Sequence, residues 1–571
     1  MADPAPQDLR SRLQTASDRV SELLEICRVP SISVGVLHNG EMFTRSFGSR
    51  ELKNMENGQV EPLPAMSSTA YLIAQCSETL IAYAVGILVD EGKMSWDDPI
   101  RKHVPEFDVV DDKRISEGAT IRQAMCHTTG LGSQDSLIQG IRGHLLVDED
   151  GFVQLINHAP THDKAGKDAA IDNDQNGRAK RRKLAKNQDS TADGESNDAF
   201  RDRDFRYNQY AMALVALAVQ NASGQRYSEF ITTRILDPLG MKDTIVKRIH
   251  MGSHRNVAVG YAKLGDDTFS EIATDALTDD AHTPVLSALG VRSSREPPNP
   301  LRQIATIWPQ VDKDNVMSHG IGGRVLNFPS LGFHTHGMNQ KLWSVGPDIF
   351  GFFRDNSIGY DSLISKDSVK ASSVVLYKGF NNGFTSSFTI CPGTKTAIVA
   401  LANGLDLGDS ADWASKILAQ ALFETKPQVD IIPLANKEAA LWKESFDEIL
   451  IKWHDGRSIS HPESDLGDYV GKYECFNLCV DISLDPETAH LAMTINSCAG
   501  SRFDLKRYGT DAYSFMPLTR YEWLQKGMWD FQEHDTEVQN HTTILLFHRN
   551  KRGEVCRFWW RYQAKEQPGQ F

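Results

Sequence analysis

The chain has 571 residues, a length that predicts two or three domains. Hydrophobic residues make up 40% of the chain and charged residues 24%, which is typical of a soluble globular protein with a sizeable core. The formal net charge is −14, from 61 basic and 75 acidic residues, so we expect no nucleic acid as a partner.

The N-terminal residues 1–20 are polar, and we interpret them as a tail without the apolar segment of a signal peptide. No apolar run approaches the ~18 residues of a membrane helix, so no membrane contact is expected. The eight cysteines are scattered and form no zinc-type Cys-x-x-Cys pairs. These features predict a cytoplasmic protein with reduced thiols, no cofactor and no metal; they leave the oligomeric state open.

The first folded element is a hairpin over residues 32–48. Two apolar runs rich in β-forming residues flank His38-Asn39-Gly40, a sequence that is typical of a hairpin turn. A helical apolar pattern follows over residues 78–92 and stops at Gly92, which suits a helix C-cap.

Residues 160–204 are rich in Asp, Lys, Asn and Gly and nearly devoid of aliphatic side chains. Such a segment cannot bury enough apolar surface to offset the entropy of ordering, so we interpret it as a disordered insertion. The basic tetrad Lys180–Lys183 lies inside it. We favour a solvated charge run over the alternative, a nuclear-localisation signal.

The second half of the chain contains further regular elements. A helical pattern follows Phe205-Arg206-Tyr207, and strand patterns occupy residues 371–403 before a helix at about 409–423. A charged segment at 426–465 is predicted to be a connector. From residue 466 onward, short alternating strands separated by turn residues indicate a small antiparallel barrel or sandwich.

Six segments in order resemble the serine β-lactamase and penicillin-binding-protein family. They begin with the hairpin and continue with residues 71–99, Thr120–Leu131, 205–209, 224–244 and 383–403. The resemblance covers about residues 20–425 and implies an α/β (α+β) fold, an antiparallel sheet flanked by helices. The predicted domains are thus 21–425, with the connector 426–465, and 466–571, which resembles the lipocalin-like β-domain appended to many esterase members.

The pocket motifs depart from that family's pattern. The family carries a serine at a helix N-terminus and a lysine one turn later, as Ser-x-x-Lys. Here these positions fall on Gln75 and Glu78, which removes the nucleophile and reverses the charge. The tyrosine of the family's Tyr-x-Asn element is retained as Tyr207, but the asparagine falls on Gln209. The lysine or histidine of the last strand motif falls on Tyr377, which is followed by Lys378 and Gly379.

These departures predict that the chain retains the fold of the family but not its serine-based reaction. We expect Glu78, Tyr207 and Tyr377 to be catalytic, in a pocket completed by Gln75, Gln209, Lys378 and Gly379. One carboxyl group and two phenols suit non-covalent acid/base work on a small molecule, such as isomerisation, dehydration or cyclisation. The resemblance suggests fungal secondary metabolism as the setting.

Two alternatives stay open from the sequence. The protein could be a hydrolase or transacylase in which Cys76 or Ser77 replaces the lost serine, or a non-catalytic binding or scaffold protein. For Cys76 a packed thiol is the better interpretation, and for Ser77 a structural or N-cap role.

Two histidine features have structural interpretations. His127 is expected to hold its loop by hydrogen bonding. His334-x-His336 has a spacing seen in metal sites, but no third ligand accompanies it in the sequence, so no metal site is predicted.

Overall fold

The computed structural model describes most of the chain. The described residues are 8–55, 59–139, 145–162, 205–246, 256–264, 268–272, 292–293, 317–320, 323–327, 339, 373–381, 383–404, 406–424, 429–459, 465–475, 478–498, 501–526, 542–562 and 569–570. Most of the predicted insertion, the Lys180–Lys183 tetrad and His334-x-His336 lie outside them.

An eight-stranded antiparallel sheet forms the centre of the first domain. The strands of this domain are β1 (Ser31–His38), β2 (Glu41–Asn54), β3 (Val60–Pro64), β4 (Tyr71–Leu72), β5 (Tyr261–Lys263), β6 (Phe269–Glu271), β7 (Arg292–Ser293), β8 (Met317–Gly320), β9 (Gly323–Asn327), β10 (Ser373–Asn381), β11 (Phe384–Cys391) and β12 (Thr396–Ala402). The order in the sheet is β3-β2-β1-β12-β11-β10-β9-β8, and β4-β7 and β5-β6 form two separate short strand pairs.

The predicted hairpin is confirmed as the pair of β1 and β2. Ser31 pairs with Gly48 and His38 with Glu41, so only Asn39 and Gly40 remain in the turn. Both residues have positive φ, 50° and 90°, as a two-residue turn that follows the twist of its strands requires.

Helices cover both faces of this sheet. They are α1 (Leu9–Val20), α2 (Leu23–Ile26), α3 (Glu78–Asp90), α4 (Ile100–His103), α5 (Lys113–Gly118), α6 (Ile121–Met125), α7 (Asp135–Ile138), α8 (Glu149–Asn157), α9 (Gln209–Ser223), α10 (Tyr227–Ile231) and α11 (Ser410–Phe423). One apolar core joins α1 and α11 to one face, and another joins α3, α6 and α9 to the opposite face. The expected antiparallel sheet flanked by helices is confirmed.

The prediction of a polar tail over residues 1–20 is corrected by α1. Leu13, Ala16 and Val20 lie on one helical face, at spacings of three and four residues, and are buried in the α11-side core. These three residues form a short apolar stripe among polar residues, and the polar composition of the segment as a whole does not reveal it.

The C-terminal domain is a second eight-stranded antiparallel sheet in which each strand pairs with the next along the chain. The strands are β13 (Gly471–Cys475), β14 (Leu478–Leu484), β15 (Leu491–Ile495), β16 (Phe503–Gly509), β17 (Ala512–Ser514), β18 (Ile544–Arg549), β19 (Val555–Trp560) and β20 (Gly569–Gln570). The rings of Tyr473 on β13 and Phe558 on β19 are 5.1 Å apart, although these strands lie near opposite ends of the order. The sheet therefore curls on itself, as the predicted barrel-like domain requires.

Two helices attach this domain to the rest of the chain. The segment predicted as a connector contains α12 (Ile431–Gly456), whose buried Trp453 donates through Nε1 to Ser514 Oγ at 2.9 Å. From the C-terminal domain, α13 (Arg520–Gln525) brings the Arg520 guanidinium onto the buried carboxylate of Asp406. Arg28 Nε lies 3.1 Å from the second oxygen of the same carboxylate. No helix among the residues described above is long and apolar enough to cross a membrane.

Asn403 follows β12 and connects three segments of the first domain. Its Oδ1 accepts hydrogen bonds from Ser31 N at 2.8 Å and Ser31 Oγ at 2.7 Å. Its Nδ2 lies within hydrogen-bonding distance of three backbone carbonyl oxygens, of Ser49, Arg50 and Val259, at 3.0–3.2 Å. The side chain is fully buried, so no water is at hand to replace these bonds.

We therefore expect Asn403→Ala to lower the free energy of unfolding by at least about 3 kcal/mol, since several buried polar groups lose their partner together. Chemical denaturation of the purified protein measures this. The control is Asn436→Ala, on an exposed face of α12, which should change stability by no more than about 0.5 kcal/mol. Equal effects of the two substitutions would contradict the assigned role of Asn403.

Candidate active site

The site is built around a sharp turn at the start of α3. Residues Ala74–Ser77 form one 3-10 turn that runs directly into the helix, and Ala74 has a φ of 44°. A left-handed φ is uncommon for a residue with a side chain and costs energy that the surrounding packing has to supply. The turn presents Gln75 towards β10 and brings Glu78 to the first position of α3.

Strand β10 approaches this turn closely at Gly379. A Cβ atom on Gly379 would lie 2.5 Å from Ile73 O and 2.9 Å from Gln75 N, so only glycine fits there. One residue further, the Phe380 N–H donates to Gln75 Oε1 at 2.8 Å. The expected proximity of Gln75 and Gly379 is therefore present in the structure.

Glu78 and Tyr207 form a direct hydrogen bond. The Tyr207 hydroxyl donates to Glu78 Oε1 at 2.8 Å. Glu78 is 4% exposed and Tyr207 is 37% exposed, so the phenol connects a buried carboxyl group to the surface. Glu78 is the first residue of α3, so its carboxyl group lies at the positive end of the helix dipole.

His127 lies against this pair. Its ring centroid is 4.6 Å from that of Tyr207, and its Nε2 is 4.0 Å from Glu78 Oε2. Asn208 N donates to His127 Nδ1 at 3.3 Å, which assigns the proton of the neutral ring to Nε2, the nitrogen that faces Glu78. His127 thus holds the Tyr207 segment, as expected, and also belongs to the site.

Gln209 connects the turn to a second carboxyl group. Asn208 caps α9 by accepting from Tyr210 N and Ala211 N, which makes Gln209 the first residue of the helix. Gln209 Oε1 accepts from Gln75 Nε2 at 3.4 Å, and its Nε2 donates to Asp135 Oδ1 at 3.2 Å. Desolvation raises the pKa of Asp135 to about 6.

Tyr377 lies on the same face of β10 as Gly379. Its hydroxyl is buried and makes no hydrogen bond to any residue that the structure describes. Burial, with the nearby charge of Glu78, raises its pKa well above the usual phenol value. Tyr377 is therefore a neutral hydroxyl donor at physiological pH.

The expectation that Lys378 contributes to the pocket is corrected by the strand geometry. Successive side chains of a strand point to opposite faces, so Lys378 lies on the α11 side, opposite Tyr377 and Gly379. There its Nζ forms a buried ion pair with Asp412 Oδ1 at 2.9 Å, and Lys416 pairs with the same carboxylate. Lys378 is thus committed to the far side of the sheet.

Cys76 and Ser77 are poorly placed for nucleophilic attack. Both side chains are fully buried, and Cys76 Sγ accepts from Ser386 Oγ at 3.2 Å. Desolvation raises the pKa of the Cys76 thiol well above its usual value, which disfavours the reactive thiolate. Ser77 Oγ has no hydrogen-bond partner among the residues described, and so no base activates it.

Sequence reasoning did not assign His127 and Asp135 to the site. The family resemblance implies a structural role for His127, and Asp135 belongs to no motif. No cluster of three or more histidine, cysteine or acidic side chains suited to a metal ion occurs in the described ranges.

The raised pKa of Asp135 makes its contribution to stability depend on pH. The fold favours the neutral carboxyl group, so this contribution is fully present below the usual pKa of 3.8 and is lost as the pH rises through about 6. We expect the unfolding free energy of the wild type minus that of Asp135→Asn to fall between pH 4 and pH 7. Denaturant titrations at several pH values measure it, and a constant difference would contradict the assigned environment.

Comparisons with known proteins agree with this architecture. The family model "Beta-lactamase" matches residues 16–422, most of the chain. The protein Flp of Staphylococcus aureus (strain MW2) is 24% identical over 240 residues, which are 42% of this chain and 39% of Flp. The mitochondrial serine β-lactamase-like protein LACTB of Mus musculus is 22% identical over 283 residues, 43% of this chain and 49% of LACTB. The matches thus span less than half the length of these curated relatives.

Two solved structures are similar to this chain at low identity. A class C β-lactamase from Rhodobacter sphaeroides has a TM-score of 0.44 and 16% identity, covering 72% of this chain and 99% of its own. The octameric penicillin-binding protein homologue from Pyrococcus abyssi has a TM-score of 0.44 and 15% identity. The match covers 98% of this chain and 99% of the homologue's chain. The extent of the family match decides the assignment: this chain belongs to the β-lactamase family.

Proposed function

We propose that this β-lactamase-family protein catalyses proton transfer on a small molecule without forming an acyl-enzyme. The observation that carries this proposal is the 2.8 Å hydrogen bond from the hydroxyl of the exposed Tyr207 to the buried Glu78 carboxyl group. A partly exposed phenol in contact with a buried carboxyl group can pass a proton between a ligand and the protein interior.

The position of Gln75 argues against acyl transfer. An amide nitrogen is not a nucleophile, and the Gln75 side chain already receives the Phe380 N–H. The family resemblance implies that this strand lends a backbone N–H to the oxyanion hole. In this chain that donor is engaged by the protein's own amide oxygen.

Each polar group has a role in the proposed reaction. Tyr207 contacts the substrate, because it is the exposed member of the pair. Glu78 is the base that receives a proton through Tyr207, and His127 Nε2 lies 4.0 Å from its carboxyl group. Tyr377 supplies a neutral hydroxyl that donates to a substrate oxygen.

Two other functions have less support. A displaced nucleophile would have to be Cys76 or Ser77, and both are buried. A scaffold protein without chemistry would not need the exposed phenol on a buried carboxylate, although the Gln75–Gln209–Asp135 contacts suit a filled pocket. The setting in fungal secondary metabolism rests on the family resemblance alone.

We expect no covalent labelling of the wild type by a fluorophosphonate probe or by a fluorescent penicillin, because the turn offers no activated nucleophile. In-gel fluorescence and intact-protein mass spectrometry measure this, with a serine β-lactamase of the same family as positive control. Labelling that peptide mapping assigns to Cys76 or Ser77 would overturn the non-covalent mechanism.

We expect Glu78→Gln and Tyr207→Phe each to slow substrate conversion by about 10²- to 10⁴-fold, the usual contribution of a positioned acid or base. Purified protein is incubated with a small-molecule extract, and untargeted mass spectrometry follows the compounds that are consumed and formed.

The matched control is Tyr83→Phe, which removes a phenol from the same helix outside the Glu78 contact. It should retain the conversion rate of the wild type. All variants are checked for unchanged thermal melting. Conversion that survives in both Glu78→Gln and Tyr207→Phe would exclude the proposed roles, and its absence in the wild type would favour the scaffold function.

A further inference from the structure

Strand β15 of the C-terminal domain is followed by two residues with an unusual backbone. Asn496 and Ser497 have φ values of 49° and 54°, in the left-handed region that residues with a side chain seldom adopt. Asparagine tolerates this region better than most residues, because its short polar side chain bonds locally. Strain of this kind persists only where the surrounding contacts hold the backbone in place.

Asn496 is held on β14 by both its backbone and its side chain. Its N–H donates to Cys479 O at 2.8 Å, and its Oδ1 accepts from Cys479 N at 2.8 Å. Since the Cys479 N–H can only donate, the side-chain oxygen lies on that side and Nδ2 on the other. Nδ2 donates to Leu146 O in the first domain, at 2.5 Å. The turn thus presents a fixed hydrogen-bond donor to the domain that carries the candidate site.

Leu146 is bonded in turn to the end of α7. Its N–H donates to Ile138 O at 2.9 Å, and its neighbour Leu145 pairs with Gln139 in an isolated antiparallel bridge. Leu146 is buried, and Ile138, Leu146 and Ile495 belong to one apolar core. The backbone of Leu146 therefore lies between α7 on one side and the C-terminal domain on the other.

Helix α7 carries Asp135 at its first position. The helix has four residues, and a bond from Gln139 N to Asp135 O at 2.8 Å closes it. A helix this short is not stable by itself, so contacts with its surroundings decide where it lies. From this position the Asp135 Oδ1 accepts from Gln209 Nε2 in the site. A displacement of α7 would thus change the contact between Asp135 and Gln209.

We propose that the C-terminal domain positions the candidate site through the Asn496 amide, which holds Leu146 and, through it, the helix that carries Asp135. Asn496 is a positioning residue, because it acts on the site through Leu146 and α7. The ion pair of Arg520 joins the same two domains at Asp406, beyond the end of β12. The role of Asn496 goes beyond the proposed function, since it does not depend on which reaction the site catalyses.

Asn496→Asp in the full-length protein tests the contact with Leu146. Aspartate keeps an oxygen for the Cys479 N–H but replaces the donor to Leu146 O with a second acceptor. We expect the Leu146 amide to exchange its hydrogen about 10-fold faster than in the wild type, because its bond to Ile138 opens more easily. Hydrogen-exchange mass spectrometry of peptides that contain Leu146 measures this.

The matched control is Asn550→Asp, the same substitution in the turn between β18 and β19. Asn550 is exposed, and its Oδ1 also accepts from backbone N–H groups, those of Arg552 and Glu554. This control should leave the exchange of Leu146 unchanged. Asn496→Gly is a second test variant, since glycine adopts a left-handed φ without strain and also lacks the amide. It should speed the exchange of Leu146 as well.

The pH dependence of Asp135 separates positioning of the site from simple attachment of the domains. Desolvation is the main cause of its raised pKa of about 6, and the side chains that oppose the rise, Ser133 and Gln209, are neutral. The unfolding free energy of the wild type minus that of Asp135→Asn therefore falls as the pH rises through about 6. With Asn496→Asp in both proteins, we expect this fall to shift towards pH 3.8, because a displaced α7 admits water to the carboxyl group. The new carboxyl group is common to both proteins and cancels.

Two results would overturn the positioning role. One is unchanged exchange of Leu146 in both Asn496 variants. The other is faster exchange without a shift in the pH dependence of Asp135, since Asn496 would then only attach the domains. Neither measurement uses turnover, so both are independent of the proposed proton transfer. Lost conversion in Glu78→Gln would support that reaction whatever the outcome for Asn496.

Discussion

The close contact between β10 and the turn before α3 determines how the rest of the site is arranged. At Gly379 the strand approaches the backbone of Ile73 and Gln75 to a distance that excludes any Cβ atom. This contact aligns the Phe380 N–H with the Gln75 amide and brings Tyr377 to the same face as the first turn of α3. The left-handed Ala74 is a consequence of the same tight turn.

The two faces of β10 serve different purposes. On the α3 side, Tyr377 and Gly379 meet the polar groups of the site. On the α11 side, Lys378 enters a buried ion cluster in which Asp412 is paired with two lysines, and their charges hold the pKa of Asp412 well below its usual range. The pKa of the nearby Asp409 carboxyl group is instead raised to about 7, because of burial and the charge of Asp412. A lysine adjacent in sequence to the site thus stabilises the layer behind it.

Family membership rests on the extent of the β-lactamase match, and the proposed chemistry rests on the side chains of the site. Asn403 connects three segments of the first domain, and Gly379 lets β10 approach the turn before α3. The positions that the family resemblance assigns to the nucleophile and its base carry Gln75 and Glu78, which make hydrogen bonds of a different kind. A fold of this type constrains where polar groups lie, and the identity of those groups decides the reaction.

The sequence by itself determined the family, the β1–β2 hairpin, the helix that ends before Gly92 and the meander of short strands at the C-terminus. Those features depend on local patterns: a two-residue turn, a helical apolar period and alternating strands. The sequence also singled out Gln75, Glu78, Tyr207, Gln209 and Tyr377, because ordered motifs specify register along a chain.

Only the tertiary structure decided which of these side chains meet. Asp135 reaches the site from the start of α7 and His127 from the turn after α6, and no local pattern encodes distances between residues that are far apart in sequence. The side chain of Lys378 points towards α11 because of its position along β10. The apolar residues of α1 are buried because α1 packs in the same core as α11. These are properties of long-range packing, which the sequence specifies only through the complete fold.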